Sequence, residues 1–392
     1  MDRPIDLPMT MTSAEAAACL GVKRATLYSY VTRGLVRTVD GPGRGKRYLA
    51  TDIWALKRRA AAAKGHAAAA SIALDWGAPV LSTAISAVDR DGPSYRGRSA
   101  WSLAERDTPF EVVARGLWTG FEHAHAAPLC DGADEGWTSI LERAEPKDAP
   151  SAWLLAVALA ESSVTKPEAL LDRFVTSLGH VVGLRPSSRG PVADRLVEMY
   201  GLDPADAELV QRGLVLCADH ELNASTFAAR IAASTGASLG AAVIAALGTF
   251  LGPRHGLQVF DVAAGVGEIG SNAPDIVVQA QIAEGRLRGY GHPLYPDGDP
   301  RAEALLGWIV GRSGPQLDAT WAHMEVAKRL GAPPPALDMA LLALANALGA
   351  PPAFAVTVFA VGRVAGWLAH VLEQRTTPGI LRPRARYVGP DH

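Results

Sequence analysis

Cysteines, aromatic residues and strand-forming runs are all scarce in this 392-residue chain. The three cysteines, Cys19, Cys130 and Cys217, are far apart and odd in number. They offer neither a disulfide framework nor the paired spacing of a metal or redox centre, so reduced thiols in a cytoplasmic protein are expected, with no metal site. Aromatics make up 6% of residues while alanine is plentiful, which favours closely packed helices. The best strand signal is a short hairpin near Ile85 to Arg96. Met1-Asp2-Arg3-Pro4 lacks the apolar stretch of a secretory signal. The apolar run from Ala336 to Val361 is interrupted by Asp338, Asn346, Pro351 and Pro352, so it reads as a buried helical hairpin rather than a membrane span.

Charge of one sign is also missing where it would be expected to average out. Residues 1–66 hold 12 Lys and Arg against 5 Asp and Glu, and the remainder holds 26 against 35. A basic head on an acidic body points to a polyanionic partner for the head alone.

The head has helix punctuation. Thr12-Ser13-Ala14-Glu15-Ala16 opens with a hydroxyl N-cap and good helix formers, and Gly21 breaks the run. Val22 to Val31 predicts a second helix, with Val22, Leu27 and Val31 at near-helical spacing. Two short helices around a glycine turn are the layout of a helix-turn-helix. Lys23, Arg24, Thr26, Tyr28 and Ser29 would then reach bases or phosphates. A basic, Gly-rich turn from Gly41 to Lys46, carrying Arg44 and followed by Arg47-Tyr48-Leu49, predicts a hairpin or wing. Asp52 is placed to cap a third helix ending Lys57-Arg58-Arg59. Turn, helix and wing arrive in the order that resembles the winged helix-turn-helix of MerR and excisionase proteins. This resemblance implies duplex DNA as a partner, through Lys23, Arg24, Thr26, Tyr28, Arg44, Lys46 and Arg47. The plainer alternatives are a protein-interaction or assembly module with a solvated basic face. An Ala-rich linker is expected at 61–75.

Beyond residue 100, apolar residues recur at three- and four-residue spacing between Gly and Pro breaks, so the body is expected to be all-α. Three blocks carry polar groups that a core would not choose: Asp219 to Phe227, Gly252-Pro253-Arg254-His255-Gly256, and Gly289 to Tyr295 followed by Asp299-Pro300-Arg301. His255 and His292 both sit in glycine-flanked turns, where backbone is tight and a ligand can approach closely. An arginine nine residues after His292 adds an anion-binding group.

The ordered blocks DHELNASTFAAR, GPRHG, GYGHPLY, DPRA, LDMALLALA and GRVAGWLAH, with RPRARYVGP at the end, resemble the citrate synthase family over residues 76–392. Thr83-Ala84-Ile85-Ser86, Tyr95-Arg96-Gly97 and Gly116-Leu117-Trp118 fit the start of that family's domain. The resemblance implies large and small helical domains, the small one inserted at roughly 224–335, after a head at 1–60. It also implies a homodimer with shared sites and no tightly bound cofactor, acetyl-CoA and CoA being substrate and product. The implied chemistry joins an acyl-CoA to oxaloacetate. A base removes a very weakly acidic proton beside the thioester carbonyl, which succeeds only if a donor stabilises the enol.

Asp338 falls on the position of the base, where the positive end of its helix would favour the ionised form. His255 matches the donor to the thioester oxygen, and His292 the group that polarises the ketone of oxaloacetate. His220, Arg301 and Arg363 match groups that hold the dicarboxylate, and Arg382 matches an arginine reaching into the neighbouring subunit's site. Three positions depart from the family pattern and place the CoA pocket in question: Arg254 where an apolar residue is usual, Val259 near an expected asparagine, and Pro296 at a frequent basic contact. A regulator that uses the synthase-like body as a metabolite sensor is therefore the alternative function.

Overall fold

The computed structural model describes residues 10–40, 45–49, 52–53, 56, 81–127, 129, 166–181, 190–270 and 272–383. Arg44, Cys130, the 61–75 linker and most of the 41–46 turn lie outside these. Two compact units are distinguished, Met1–Ser82 with Val278–Leu287, and Thr83–Val277 with Arg288–His392.

In the first unit, strand β1 (Thr10–Met11) leads into α1 (Ser13–Leu20). The Thr12 side chain accepts from the Glu15 amide, and the Glu15 carboxylate takes the Thr12 N–H, a reciprocal capping box. The helix ends where Gly21 turns left-handed at φ 65°. Helix α2 (Arg24–Thr32) follows, then β2 (Thr38–Asp40) and β3 (Lys46–Leu49). The strands form an antiparallel sheet in the order β1-β3-β2. Ala16, Leu27, Val36, Tyr48 and Ile53 close a small core. Asp52, expected as a helix cap, gives its carboxylate to the backbone and guanidinium of Arg37.

The second unit opens with the expected hairpin, β4 (Ser86–Asp89) and β5 (Gly92–Tyr95), extended by β6 (Arg98–Ser99). The remaining described residues are helical or loop: α3 (Ala100–Glu105), α4 (Phe110–Thr119), α5 (Pro167–Val181), α6 (Val192–Met199), α7 (Ala207–Cys217), α8 (Ala224–Ser234), α9 (Leu239–Phe250), α10 (Gln258–Gly267), α11 (Pro274–Ala283), α12 (Pro300–Trp308), α13 (Pro315–Arg329), α14 (Leu337–Ala347) and α15 (Pro352–Arg375). Asn223, Ser238 and Asp299 cap α8, α9 and α12 with their side chains, each as the residue before the helix.

The long helix α15 organises the core. It packs against α4, α5, α7, α8, α9 and α14. Its apolar window is long enough to cross a bilayer, but 94% of it is buried inside the protein. Val356, Val358 and Val361 are poor helix formers, so burial rather than propensity holds this segment. Gly349 turns left-handed at φ 67°, Pro351 and Pro352 start α15, and α14 and α15 thereby form the hairpin expected from the apolar run.

Close approach of α7 to α15 requires glycine. A Cβ on Gly362 would stand 2.7 Å from the Leu214 carbonyl oxygen, and one on Gly366 would collide with the Ala218 carbonyl and the Asp219 carboxylate. With no side chain there, the Gly366 N–H donates to Ala218 O at 3.0 Å and Arg363 Nε donates to Cys217 O at 2.8 Å. The end of α7 is thus capped by α15, and the chain that follows carries His220.

Candidate functional site

His220 is buried, and its Nε2 lies 2.8 Å from the Tyr295 hydroxyl. The rings of His220 and His292 meet edge to face, centroids 5.4 Å apart. Tyr295 comes from the same Gly-rich turn as His292, and the two residues also pair through their backbone. The Leu294 N–H donates to His292 Nδ1 at 3.2 Å, which leaves the ring hydrogen of the neutral imidazole on Nε2. Burial, helped by Arg301, holds His292 neutral down to about pH 4. His220 is likewise pushed well below the usual histidine range by burial and by Arg301.

Arg301 sits over the Tyr295 ring and is clasped by Asp299, Nε to Oδ1 at 3.0 Å and Nη2 to Oδ2 at 2.8 Å. Burial works against its charge, but Asp299 raises it above the ordinary arginine range. Arg363 is more open: Nε holds Cys217 O, while its buried Nη2 has no hydrogen-bond partner. An uncommitted buried guanidinium donor is costly unless a ligand meets it.

His255 faces the other side of the same arginine, through Phe359. The Phe359 ring carries the Arg363 guanidinium at 5.1 Å and the His255 ring at 6.1 Å. His255 Nε2 is 2.9 Å from Ser225 Oγ. That hydroxyl also touches Asn223 Oδ1 at 2.7 Å, which accepts only, and Trp367 Nε1 at 3.1 Å, which donates only. Asn223 Oδ1 already receives the Thr226 amide. The hydroxyl has one proton: given to Asn223 Oδ1 it makes His255 Nε2 the donor to Ser225, and given to His255 Nε2 it leaves the ring hydrogen on Nδ1, where a ligand can meet it. Burial keeps His255 neutral above about pH 4.

The turn bearing His292 is tied to the start of α14. Gly291 N donates to Pro334 O and Ala336 N donates to Gly289 O, both at 2.8 Å. Tyr290 is anchored on His323 Nδ1 at 2.7 Å. This places Asp338 in the first turn of α14, with its Oδ1 buried and unpartnered. Desolvation lifts its carboxyl to about 7, outweighing Arg301 and the backbone at the helix start, both of which favour the ionised form.

The structure therefore brings His220, His292 and Arg301 into one group, sets Arg363 between that group and His255, and hangs Asp338 from the same loop pair. Arg382 is different: it is exposed just beyond α15, where Leu381 N binds Ser234 Oγ. Of the residues departing from the family pattern, Val259 fills the core, while Arg254 and Pro296 are exposed. Ser225, Trp367, Tyr295 and Asp299 were not singled out from sequence. Ser225, Tyr295 and Asp299 lie in the polar blocks legible in the sequence and Trp367 in the GRVAGWLAH block, and Asp299 also shows an Asp-Pro helix start. Among the described residues no cluster of His, Cys, Asp and Glu could hold a metal.

In the head, Lys23, Arg24, Tyr28 and Lys46 are exposed and Thr26 is half-buried. Arg47 is engaged within the sheet, donating to Thr10 Oγ1 at 2.7 Å and Thr10 O at 3.0 Å.

A helical body thus gathers neutral imidazoles, a guanidinium donor without a partner and a protonatable carboxyl. The profile of the family described as "Citrate synthase, C-terminal domain" matches residues 73–384. Citrate synthase 2 of Bacillus subtilis is 35% identical over 199 residues, covering 48% of this chain and 52% of that protein. The chain thus spans about half the length of curated relatives such as this one. The 2-methylcitrate synthase of Shewanella oneidensis is 28% identical over 349 residues, 78% of this chain and 92% of that one. The crystal structure of citrate synthase from Thermotoga maritima superposes with a TM-score of 0.67 at 25% identity, covering 80% and 94% of the two chains. The chain belongs to the citrate synthase family, and the relatives it resembles are enzymes.

Proposed function

We propose that the body condenses acetyl-CoA, or another short acyl-CoA, with oxaloacetate, giving citrate or 2-methylcitrate and CoA. One observation carries this reading: a guanidinium donor and a carboxyl oxygen, Arg363 Nη2 and Asp338 Oδ1, are buried without partners, with neutral His255 and His292 in the same site. Asp338 takes the proton from the carbon beside the thioester carbonyl. His255 donates to the thioester oxygen, so the enol forms without a free charge in a dry site. The enol carbon attacks the ketone carbon of oxaloacetate, and His292 Nε2–H supports the oxygen on which charge develops. Water then cleaves the thioester and releases CoA. Arg363 and the free edge of Arg301 hold the carboxylates, with His220 beside them. Names carried by relatives, citrate synthase and 2-methylcitrate synthase, support both acyl groups. A cytoplasmic homodimer in which Arg382 completes the partner's site, and a small domain at roughly 224–335, belong to the same reading.

The oxaloacetate clamp is tested by calorimetry on Arg363→Met. A charge-assisted bond to a carboxylate contributes about 1.5–3 kcal/mol, so affinity falls roughly 10- to 150-fold. Unchanged affinity places the dicarboxylate elsewhere.

For the head, the reading is a winged helix-turn-helix that binds duplex DNA. The observation favouring it is the α1–Gly21–α2 turn beside a three-stranded sheet, with Lys23, Arg24 and Tyr28 on the exposed side of α2. Lys46 joins them from β3, whereas Arg47 is committed to Thr10. Selection from a random duplex pool with the full-length protein should enrich an inverted repeat if the body is a dimer. Affinity should fall by about 0.9 log units per tenfold salt for each phosphate neutralised. No enrichment, with no gel retardation at low salt, makes the head an assembly module instead.

A further inference from the structure

We infer that the hairpin β4–β5 is a positioning device for His220, acting through Ser86 and Tyr95; the inference rests on the reading of His220 as a substrate-holding group. These two residues are cross-strand partners. They reach the end of α7 more than a hundred residues away and hold the chain on both sides of His220.

Ser86 spans the histidine. Its hydroxyl donates to Asp219 Oδ2 and accepts the Glu221 N–H at 3.1 Å, so the residues before and after His220 meet on one oxygen. Glu221 is left-handed at φ 55°, a conformation that strains a residue with a side chain and persists only where surroundings enforce it. The Ser86 contact is such an enforcement. Tyr95 works from the other strand: its hydroxyl lies 2.9 Å from Val215 O and accepts the Asp219 N–H at 3.3 Å. The turn 218–221 is thereby fixed at the Asp219 amide and carboxylate and at the Glu221 amide, and the side chain of His220 is then aimed by Tyr295.

The same carboxylate is shared with α15. His370 Nε2 lies 3.1 Å from Asp219 Oδ2, and both side chains are fully buried. Glu373, 4.0 Å from His370 Nδ1, accepts from Arg230 Nη1 at 2.8 Å and from the Ala84 amide at 2.6 Å. The strand that carries Ser86 is therefore anchored at Ala84 to the helix that carries Arg363. Buried charged groups of this kind add little net stability over apolar packing, but their shared hydrogen bonds restrict the arrangements open to the turn. Here that restriction fixes His220 relative to Arg363, the spacing on which recognition of a small dicarboxylate depends. Ser86, Tyr95 and His370 touch no ligand; they act through Asp219.

The test is Ser86→Ala, with Ser86→Thr as rescue, because a threonine hydroxyl can also donate and accept. Oxaloacetate affinity by calorimetry and its KM should weaken at least tenfold in Ser86→Ala. The KM for acyl-CoA should change less than twofold, and Ser86→Thr should recover oxaloacetate affinity to within threefold of the parent. A lowered melting temperature with oxaloacetate affinity unchanged makes the contacts merely structural and overturns the inference. If Ser86→Ala does not fold, Tyr95→Phe keeps the ring in the core and removes only the hydroxyl; the same split is expected, and unchanged affinity overturns the inference equally. A parent protein that binds no oxaloacetate defeats the reading of the site and this inference with it. A parent that binds, and binds no better than Ser86→Ala, defeats the inference alone.

Discussion

Asp338→Asn is expected to reduce turnover on the order of 10³-fold while leaving oxaloacetate affinity within about twofold, because a positioned general base contributes roughly 10²–10⁴-fold and the clamp lies on other residues. The pH profile gives the same group a second signature. The parent's Asp338 carboxyl stands at about 7, since burial opposes its charge, whereas His255 and His292 stand at about 4. The rate at limiting acyl-CoA should therefore fall tenfold per pH unit below about 7 and show no histidine limb between roughly pH 5 and 9.

Stability should move the other way. The folded protein keeps the Asp338 proton up to about 7, and the unfolded chain releases it near the ordinary value of 3.8. Between those values the folded state binds the extra proton, so stability is lost as pH rises, by up to roughly 4 kcal/mol. Asparagine has no such proton. At pH 8 Asp338→Asn should melt several degrees above the parent, and the advantage should vanish at pH 4. An inactive variant that is also less stable at pH 8 would mean a packing role rather than a buried base.

Gly366→Ala is expected to destabilise by more than about 3 kcal/mol, the upper range for inserting atoms into a filled core. The sign is informative, because glycine to alanine inside a helix ordinarily stabilises by roughly 0.5–1 kcal/mol. Here the new Cβ would collide with Ala218 O and stand 2.9 Å from Asp219 Cβ, and backbone cannot step aside as a side chain can. Gly248, in α9, has nothing within 4 Å of its would-be Cβ, so Gly248→Ala is the matched control and should gain stability. Denaturant unfolding of the two variants reads the difference. Equal responses would remove the close α7–α15 contact from the account.

Much of this architecture is legible in the sequence because it is local. The Thr12–Glu15 capping box, the Gly21 stop, the Ser86–Tyr95 hairpin and the α14–α15 pair all follow from spacings within a few dozen residues. The candidate residues were legible for a different reason: His255, His292, Arg301, Asp338 and Arg363 stand in ordered motifs that resemble one family, and the family profile covers all of them. What escaped is what depends on contacts far apart in the chain. Nothing near Ser86 or Tyr95 announces that they grip Asp219, 133 and 124 residues away. Arg47 reads as a basic wing residue until Thr10 is seen to occupy it. For Asp338, helix-end electrostatics and desolvation oppose each other, and only the burial of its carboxyl decides which wins.

The most direct test of the central claim is free-thiol release by the purified full-length protein, supplied with oxaloacetate and either acetyl-CoA or propionyl-CoA. The account predicts one thiol per oxaloacetate consumed, a matching tricarboxylate product by mass spectrometry, and no release when oxaloacetate is omitted. Binding of both ligands with no thiol released from any acyl-CoA would contradict it, and would make the body a metabolite sensor in place of a catalyst.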